Sequence, residues 1–248
     1  MKSIFSAGVV VFFLCLRVSS GQIVVAQHLG ATNPTSEGFT ALNFTATSTG
    51  SAISTPENAW EISDTAGSGG NPQYRYTPSA GELAALAPAF IIEGRINIPG
   101  NSQAADNSAI INLSFNGGNS YNLRFGSDAS GNAIVNLTGT GGGTFNLSSG
   151  GFHDYKLVFE NGAGALYVDG AITSFTSYTG GTGASVNQFR FGDITTGDRG
   201  TADYALVRIS TIPEPSATCL FSAVIVTAFG LSQFRMSRPM PGKGVERL

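Results

Sequence analysis

Cysteine is missing from the whole middle of this 248-residue chain. Cys15 and Cys219 both lie in apolar stretches near the two ends, so the residues between can form neither a disulfide nor a thiolate zinc site. Charge is scarce too, at 12 % of residues, with a formal net charge of -3 and a pI near 5.3. The middle of the chain has no Lys/Arg cluster. Nothing there attracts a phosphate backbone, and no nucleic-acid partner is expected. Histidine is limited to His28 and His153, which stand apart without the His/Glu spacing of a zinc site.

Long apolar runs occur only at the two ends. Lys2 precedes the apolar stretch from Ile4 to Leu16, and Val24-Val25-Ala26 has the spacing of a signal-peptidase site before Gln27. Residues 1–26 therefore read as a secretion signal, with a cut after Gly21 as the alternative. A lipoprotein signal fits less well, because Phe13-Leu14 before Cys15 lack the small residues it needs. At the other end, Ile212-Pro213-Glu214-Pro215-Ser216 precedes an apolar run from Ala217 to Leu231 and a basic flank with Arg235 and Arg238. The prolines exclude helix and hold the motif extended, and the apolar run predicts a short membrane helix at about residues 217–234. The basic flank would hold the helix's C-terminus, with residues 239–248 as a short tail, on the cytoplasmic side.

Residues 212–238 in this order resemble the PEP-CTERM sorting signal of Gram-negative bacteria. The resemblance implies that signal peptidase and an exosortase-type transpeptidase are partners during export. Pro213, Glu214 and Pro215 would be the recognised motif, with the helix removed at the cell surface or matrix. A plain C-terminal membrane anchor is the other reading.

Removing about 26 residues in front and about 36 behind leaves roughly 185, enough for one domain with a substantial core. With 33 glycines and much Ser, Thr and Asn, residues 27–211 favour strands joined by tight turns. Strands are predicted at 90–98, 109–115, 121–125, 133–137, 155–159, 165–168, 188–191 and 204–209. In Tyr121-Asn122-Leu123-Arg124-Phe125 the apolar residues alternate, so one face packs inward. Asn161-Gly162 and Asp169-Gly170 predict hairpins, and Pro78 to Leu86 predicts a short helix.

Gly151-Phe152-His153-Asp154-Tyr155-Lys156-Leu157, followed by Leu166-Tyr167-Val168-Asp169-Gly170, resembles the laminin-G and concanavalin A-like superfamily. Phe189 to Asp193 and Ala202-Asp203-Tyr204 resemble its last strands. The resemblance covers most of residues 37–210 and implies an all-β, antiparallel β-sandwich jelly roll. That fold hosts enzymes, lectins and inert modules alike, so function has to come from a site.

A jelly-roll glycosidase needs clustered acids on one strand face, and no Glu-x-Asp-x-x-Glu run is found. Glu57 with Glu61, and Glu61 with Asp64, do not supply such a pair. No catalytic residue is assigned, and a non-enzymatic module is expected, with a glycan-active enzyme and a purely structural coat protein as alternatives. Ser127 to Gly131 is read as a hairpin loop and His153 as a strand-opening residue. No cofactor is required. Asp193, Asp198 and Asp203 are the candidate calcium ligands, because rim-loop carboxylates of laminin-G-like domains bind that ion, although turns and caps use the same spacing. Extracellular polysaccharide is the expected partner. Trp60, Tyr74, Tyr121 and Tyr178 are the candidate plates for stacking a sugar ring, with core packing as the competing role.

Overall fold

The computed structural model describes residues 22–64, 70–99, 109–193 and 200–212. Residues 1–21 of the expected signal segment, the motif Pro213, Glu214, Pro215 with the helix that follows, the flank Arg235 and Arg238, and Asp198 lie outside the described residues. Among the described residues no helix is long and apolar enough to cross a membrane.

Among the described residues sixteen strands follow in chain order: β1 (Val24–Leu29), β2 (Thr40–Leu42), β3 (Ser48–Ile53), β4 (Ala59–Asp64), β5 (Gln73–Tyr76), β6 (Phe90–Asn97), β7 (Ala109–Ser114), β8 (Asn119–Ser127), β9 (Ala133–Thr138), β10 (Gly143–Asn146), β11 (His153–Glu160), β12 (Ala163–Val168), β13 (Ala171–Ile172), β14 (Gly181–Thr182), β15 (Gln188–Asp193) and β16 (Gly200–Thr211). They form two antiparallel sheets. The first runs β13-β12-β11-β6-β16-β4-β3 with β1 also on β16, and the second runs β10-β9-β8-β7-β15-β5-β2 with β14 on β8. The fold is the expected all-β, antiparallel β-sandwich of jelly-roll type. All eight predicted strands are present, and so is the helix, α1 (Ala80–Leu86). Ser79 Oγ accepts from the Glu82 backbone N–H while the Glu82 carboxylate accepts from the Ser79 N–H at 2.7 Å, a capping box that satisfies two orphan donors.

Asn-Gly and Asp-Gly turns set the β11–β12–β13 register. Asn161 and Gly162 sit at φ 52° and 80°, Asp169 and Gly170 at 50° and 79°. Two successive left-handed residues make the tight turn whose twist matches the flanking strands. Glu160 therefore opposes Ala163, and Val168 opposes Ala171.

Aromatic side chains fill the space between the sheets. Phe39, Phe90, Phe125, Phe159, Phe189 and Phe191 are all buried, each stabilising the fold by about 1.5–3 kcal/mol through area removed from water. Polar tips inside the core find partners across the sheets. The Tyr204 hydroxyl donates to the Gly192 carbonyl at 3.0 Å, and the Trp60 indole N–H donates to the Tyr74 hydroxyl at 3.2 Å.

Paired residues lie ahead of Gln27, the expected first residue of the domain. Gln22–Ile212 form one compact unit. Val24, Ala26, Gln27, His28 and Leu29 pair with the second half of β16, and the Gln22 side-chain amide donates to Ser210 Oγ at 2.6 Å. The apolar Val24-Val25-Ala26 run that resembled the end of a signal is half of a sheet strand. A bulge between Tyr204 and Leu206 marks where the neighbour of β16 changes from β4 to β1. Fully buried His28 closes this junction: its ring lies 2.6 Å from Glu37 Oε2 and 3.2 Å from the Tyr204 carbonyl, and it stacks on Phe191.

Candidate functional site

Alternation decides which side chains of the second sheet face away from the core. Tyr74, Phe189, Phe191, Ile111, Leu113, Tyr121, Leu123 and Val135 point inward and belong to the core. Their neighbours therefore share the outer face. In one row across β2, β5, β15, β7 and β8 stand Thr40, Arg75, Arg190, Asn112 and Asn122. In the next stand Gln73, Gly192, Ile110, Arg124, Asn136 and Thr144. A third aligns Gln188, Ser114 and Ser120. None of these positions carries a carboxylate. The one acid in the strands of this sheet, Asp193, ends β15 on the opposite parity.

Asn112 organises the face. It is 0 % exposed although it faces outward. Its amide nitrogen donates to Ser120 Oγ at 2.9 Å and Asn122 Oδ1 at 2.8 Å. Its amide oxygen accepts from Arg190 Nε at 3.1 Å, Ser114 Oγ at 3.1 Å and Gln188 Nε2 at 3.3 Å. Arg190 Nη1 also donates to Gln73 Oε1 at 2.8 Å. Two of the five guanidinium N–H donors are thus tied to the sheet, which fixes the plane of the group and leaves the remaining donors for a ligand.

The electrostatics of this face differ from those of the other sheet. Arg95 is ion-paired with Glu57 and Asp154, and Arg208 with Glu93, all on the first sheet or its margin. Arg75, Arg124 and Arg190 form no ion pair among the described residues, and the Nε atoms of Arg75 and Arg124 are buried without a hydrogen-bond partner. Burial, and then the charges of Arg75 and Arg124, hold the Arg190 guanidinium below the usual arginine range. The arrangement can bind and orient hydroxyls and oxyanions. Among these residues it offers no acid–base pair.

The four predicted stacking aromatics belong elsewhere. Trp60, Tyr74, Tyr121 and Tyr178 are all buried, the most accessible at 7 %. They lie on inward parity or between the layers, so none presents a face to a sugar. Tyr178 accepts from the Asn122 N–H and donates to the Thr138 carbonyl, and burial pushes its phenol up to about 12.

Asp193 and Asp203 end up on strands of different sheets, and Asp198 lies outside the described residues. Asp203 Oδ2 accepts from Asn97 at 2.7 Å. Among the described residues no group of three or more His, Cys, Asp or Glu could hold a metal. His153 opens β11 as predicted, its Nδ1 lying 2.8 Å from Asp169 Oδ2 of the adjoining hairpin. Asp128 accepts from the Ser130 and Asn132 backbone and closes a hairpin loop.

Sequence reasoning missed the three arginines. The usable signal is the identity of the polar members of the alternating strands, which are Asn, Gln and Arg rather than Lys and Glu.

No family model matches the sequence, and no curated protein does. Solved structures share the fold. A carbohydrate esterase, vb_24B_21, from the Shiga toxin-encoding bacteriophage phi24B is similar at 17 % identity with a TM-score of 0.57, over 77 % of this chain and 99 % of that one. A Trypanosoma rangeli sialidase is similar at 14 % identity with a TM-score of 0.50, over 77 % of this chain but only 31 % of that one. The chain thus spans nearly all of the first protein and about a third of the second.

Proposed function

We propose that this chain is an exported cell-surface or extracellular-matrix protein of a Gram-negative-type bacterium whose sandwich binds polysaccharide without turning it over. The observation that carries this reading is the outer face of the second sheet. Amides, hydroxyls and guanidiniums occupy its rows, and a polymer of sugar hydroxyls wants directed partners of this kind. Two fold neighbours are a carbohydrate esterase and a sialidase by name, which is in keeping with it. The Pro213-Glu214-Pro215 motif, read with the apolar run and Arg235 and Arg238, supports delivery by an exosortase-type enzyme and transient anchoring in the membrane.

A glycan array probed with the full chain in mild detergent, together with reducing-sugar release on the polymers that bind, tests the reading. Binding without release is expected. Release of sugar would overturn the non-catalytic assignment, and silence on every glycan would leave a structural coat role.

Export also has a checkable detail. Cleavage after Ala26 would remove Val24 and Ala26 from their pairing with β16, together with Val25 at the bulge between them, whereas cleavage after Gly21 leaves the strand whole. The mature protein is expected to begin at Gln22, and intact-mass measurement of secreted material reads this directly. A mass starting at Gln27 would sink it.

A further inference from the structure

The guanidiniums on the outer face say which polysaccharide. A neutral glycan is served by amides and hydroxyls alone, yet a chain of net charge -3 keeps three arginines here with no carboxylate among them. Arg75 stands directly opposite Arg190 in the β5–β15 register. Directly opposed residues bring their Cβ atoms to about 4.5–5.5 Å, and like charges so placed are destabilising. Arg124 lies two strands from Arg190 and two residues along, in the row of Gly192 and Ile110. At a strand spacing of about 4.8 Å this puts the two backbones roughly 10 Å apart across the sheet, within joint reach of one extended polymer. The repulsion is retained in the free protein while both arginines of the first sheet are neutralised by acids. Asn112 and Gln73 hold Arg190 from two sides, which presents its free edge as a fork. A planar fork matches a carboxylate in a two-bond arrangement.

We infer that Arg75, Arg124 and Arg190 form an anion-reading cluster for a polysaccharide bearing carboxylate groups, such as a polyuronate. The inference rests on the polysaccharide-binding reading above and specifies its ligand class.

The test uses the full chain in mild detergent with four probes: polygalacturonate, the same polymer with its carboxyls reduced to alcohols, dextran sulfate and plain dextran. Polygalacturonate is expected to bind, and the reduced polymer and dextran at least tenfold more weakly. R190Q, R75Q and R124Q are each expected to lose about tenfold or more in polygalacturonate affinity, since each removes a charge-assisted hydrogen bond. R95Q removes the same charge from the ion-paired sheet and is expected to stay within about twofold, because screening isolates an exposed site on the other face. R75Q should also melt no lower than wild type, as relief of the Arg75–Arg190 repulsion predicts. Equal loss in R95Q, unchanged affinity in all three face variants, or equally tight binding of the reduced polymer would overturn the inference. Tighter binding of dextran sulfate than of polygalacturonate would assign a general polyanion patch and overturn the carboxylate commitment. Array binding to neutral glycans alone would defeat this inference and leave the polysaccharide module standing, whereas no binding to any polymer would defeat both.

Discussion

Phe191→Ala is expected to lower the unfolding free energy by about 3–5 kcal/mol, the range for truncating a well-packed core aromatic. Phe191 is fully buried, and its ring meets four others: Tyr74 stacked at 5.6 Å, Phe39 edge-on at 5.3 Å, Tyr204 at 5.0 Å and His28 stacked at 5.2 Å. Tyr74 lies in the second sheet, while Tyr204 and His28 belong to the first. The void would therefore open between the layers, where neither can collapse without disturbing the other. For a domain of this size, a loss of that magnitude moves the melting temperature by on the order of 10 °C. Urea denaturation checks it, with a shifted midpoint and an unchanged slope. A loss under about 1 kcal/mol would mean the sheets close over the gap.

Asp203→Asn is expected to change how stability depends on pH. Asp203 is buried in register with Glu61 and Asn97, and its Oδ1 has no hydrogen-bond partner. Burial pushes its carboxyl up to about 6 from 3.8, the nearby Glu61 charge adds to the rise, and the Asn97 bond acts in the opposite direction. The folded state therefore keeps a proton that the unfolded chain gives up first. Its contribution is fully present below the unfolded value near pH 4 and is lost as pH rises through about 6. With allowance for solvent screening the loss is about 1–2 kcal/mol. Asp203→Asn keeps an acceptor for Asn97 and removes the ionisation. It should match wild type near pH 4 and exceed it by about 1–2 kcal/mol at pH 7, as denaturation at pH 4, 5, 6 and 7 would record. The carboxyls held low, Glu57 by Arg95 and Asp128 by Asn132, impose the opposite trend at lower pH in both proteins, so the difference isolates Asp203. An Asp203→Asn protein less stable at pH 7, and only when calcium is present, would restore the rim carboxylates as ligands.

Local signals carried the eight predicted strands, because several alternate over a few residues and three of them, β7, β11 and β12, run into an Asn-Gly or Asp-Gly turn. β3 carries no such signal. Its Ser-Thr-Gly-Ser-Ala-Ile sequence leaves most positions accessible and reads as loop. β1 was hidden for another reason: an apolar strand next to a segment that reads as a leader has the composition expected of such a segment's end. The aromatics were legible as core or plate but not as which, since that depends on parity within a strand whose bounds were uncertain. The arginine cluster was out of reach altogether. Arg75 and Arg190 are 115 positions apart, Asn112 lies between them in sequence, and nothing local says that β5, β15 and β7 are neighbours.

The order of the strands in the first sheet also governs when it can form. β1, β4 and β6 all depend on β16, whose Gly200–Thr211 backbone is their shared partner, with Val24 opposite Ser210. A chain emerging N-terminus first exposes those three strands long before their centre arrives. Such non-local pairing is slow to nucleate. A polypeptide threaded through a membrane channel could form its local hairpins as they emerged, but would complete the first sheet only once β16 had followed.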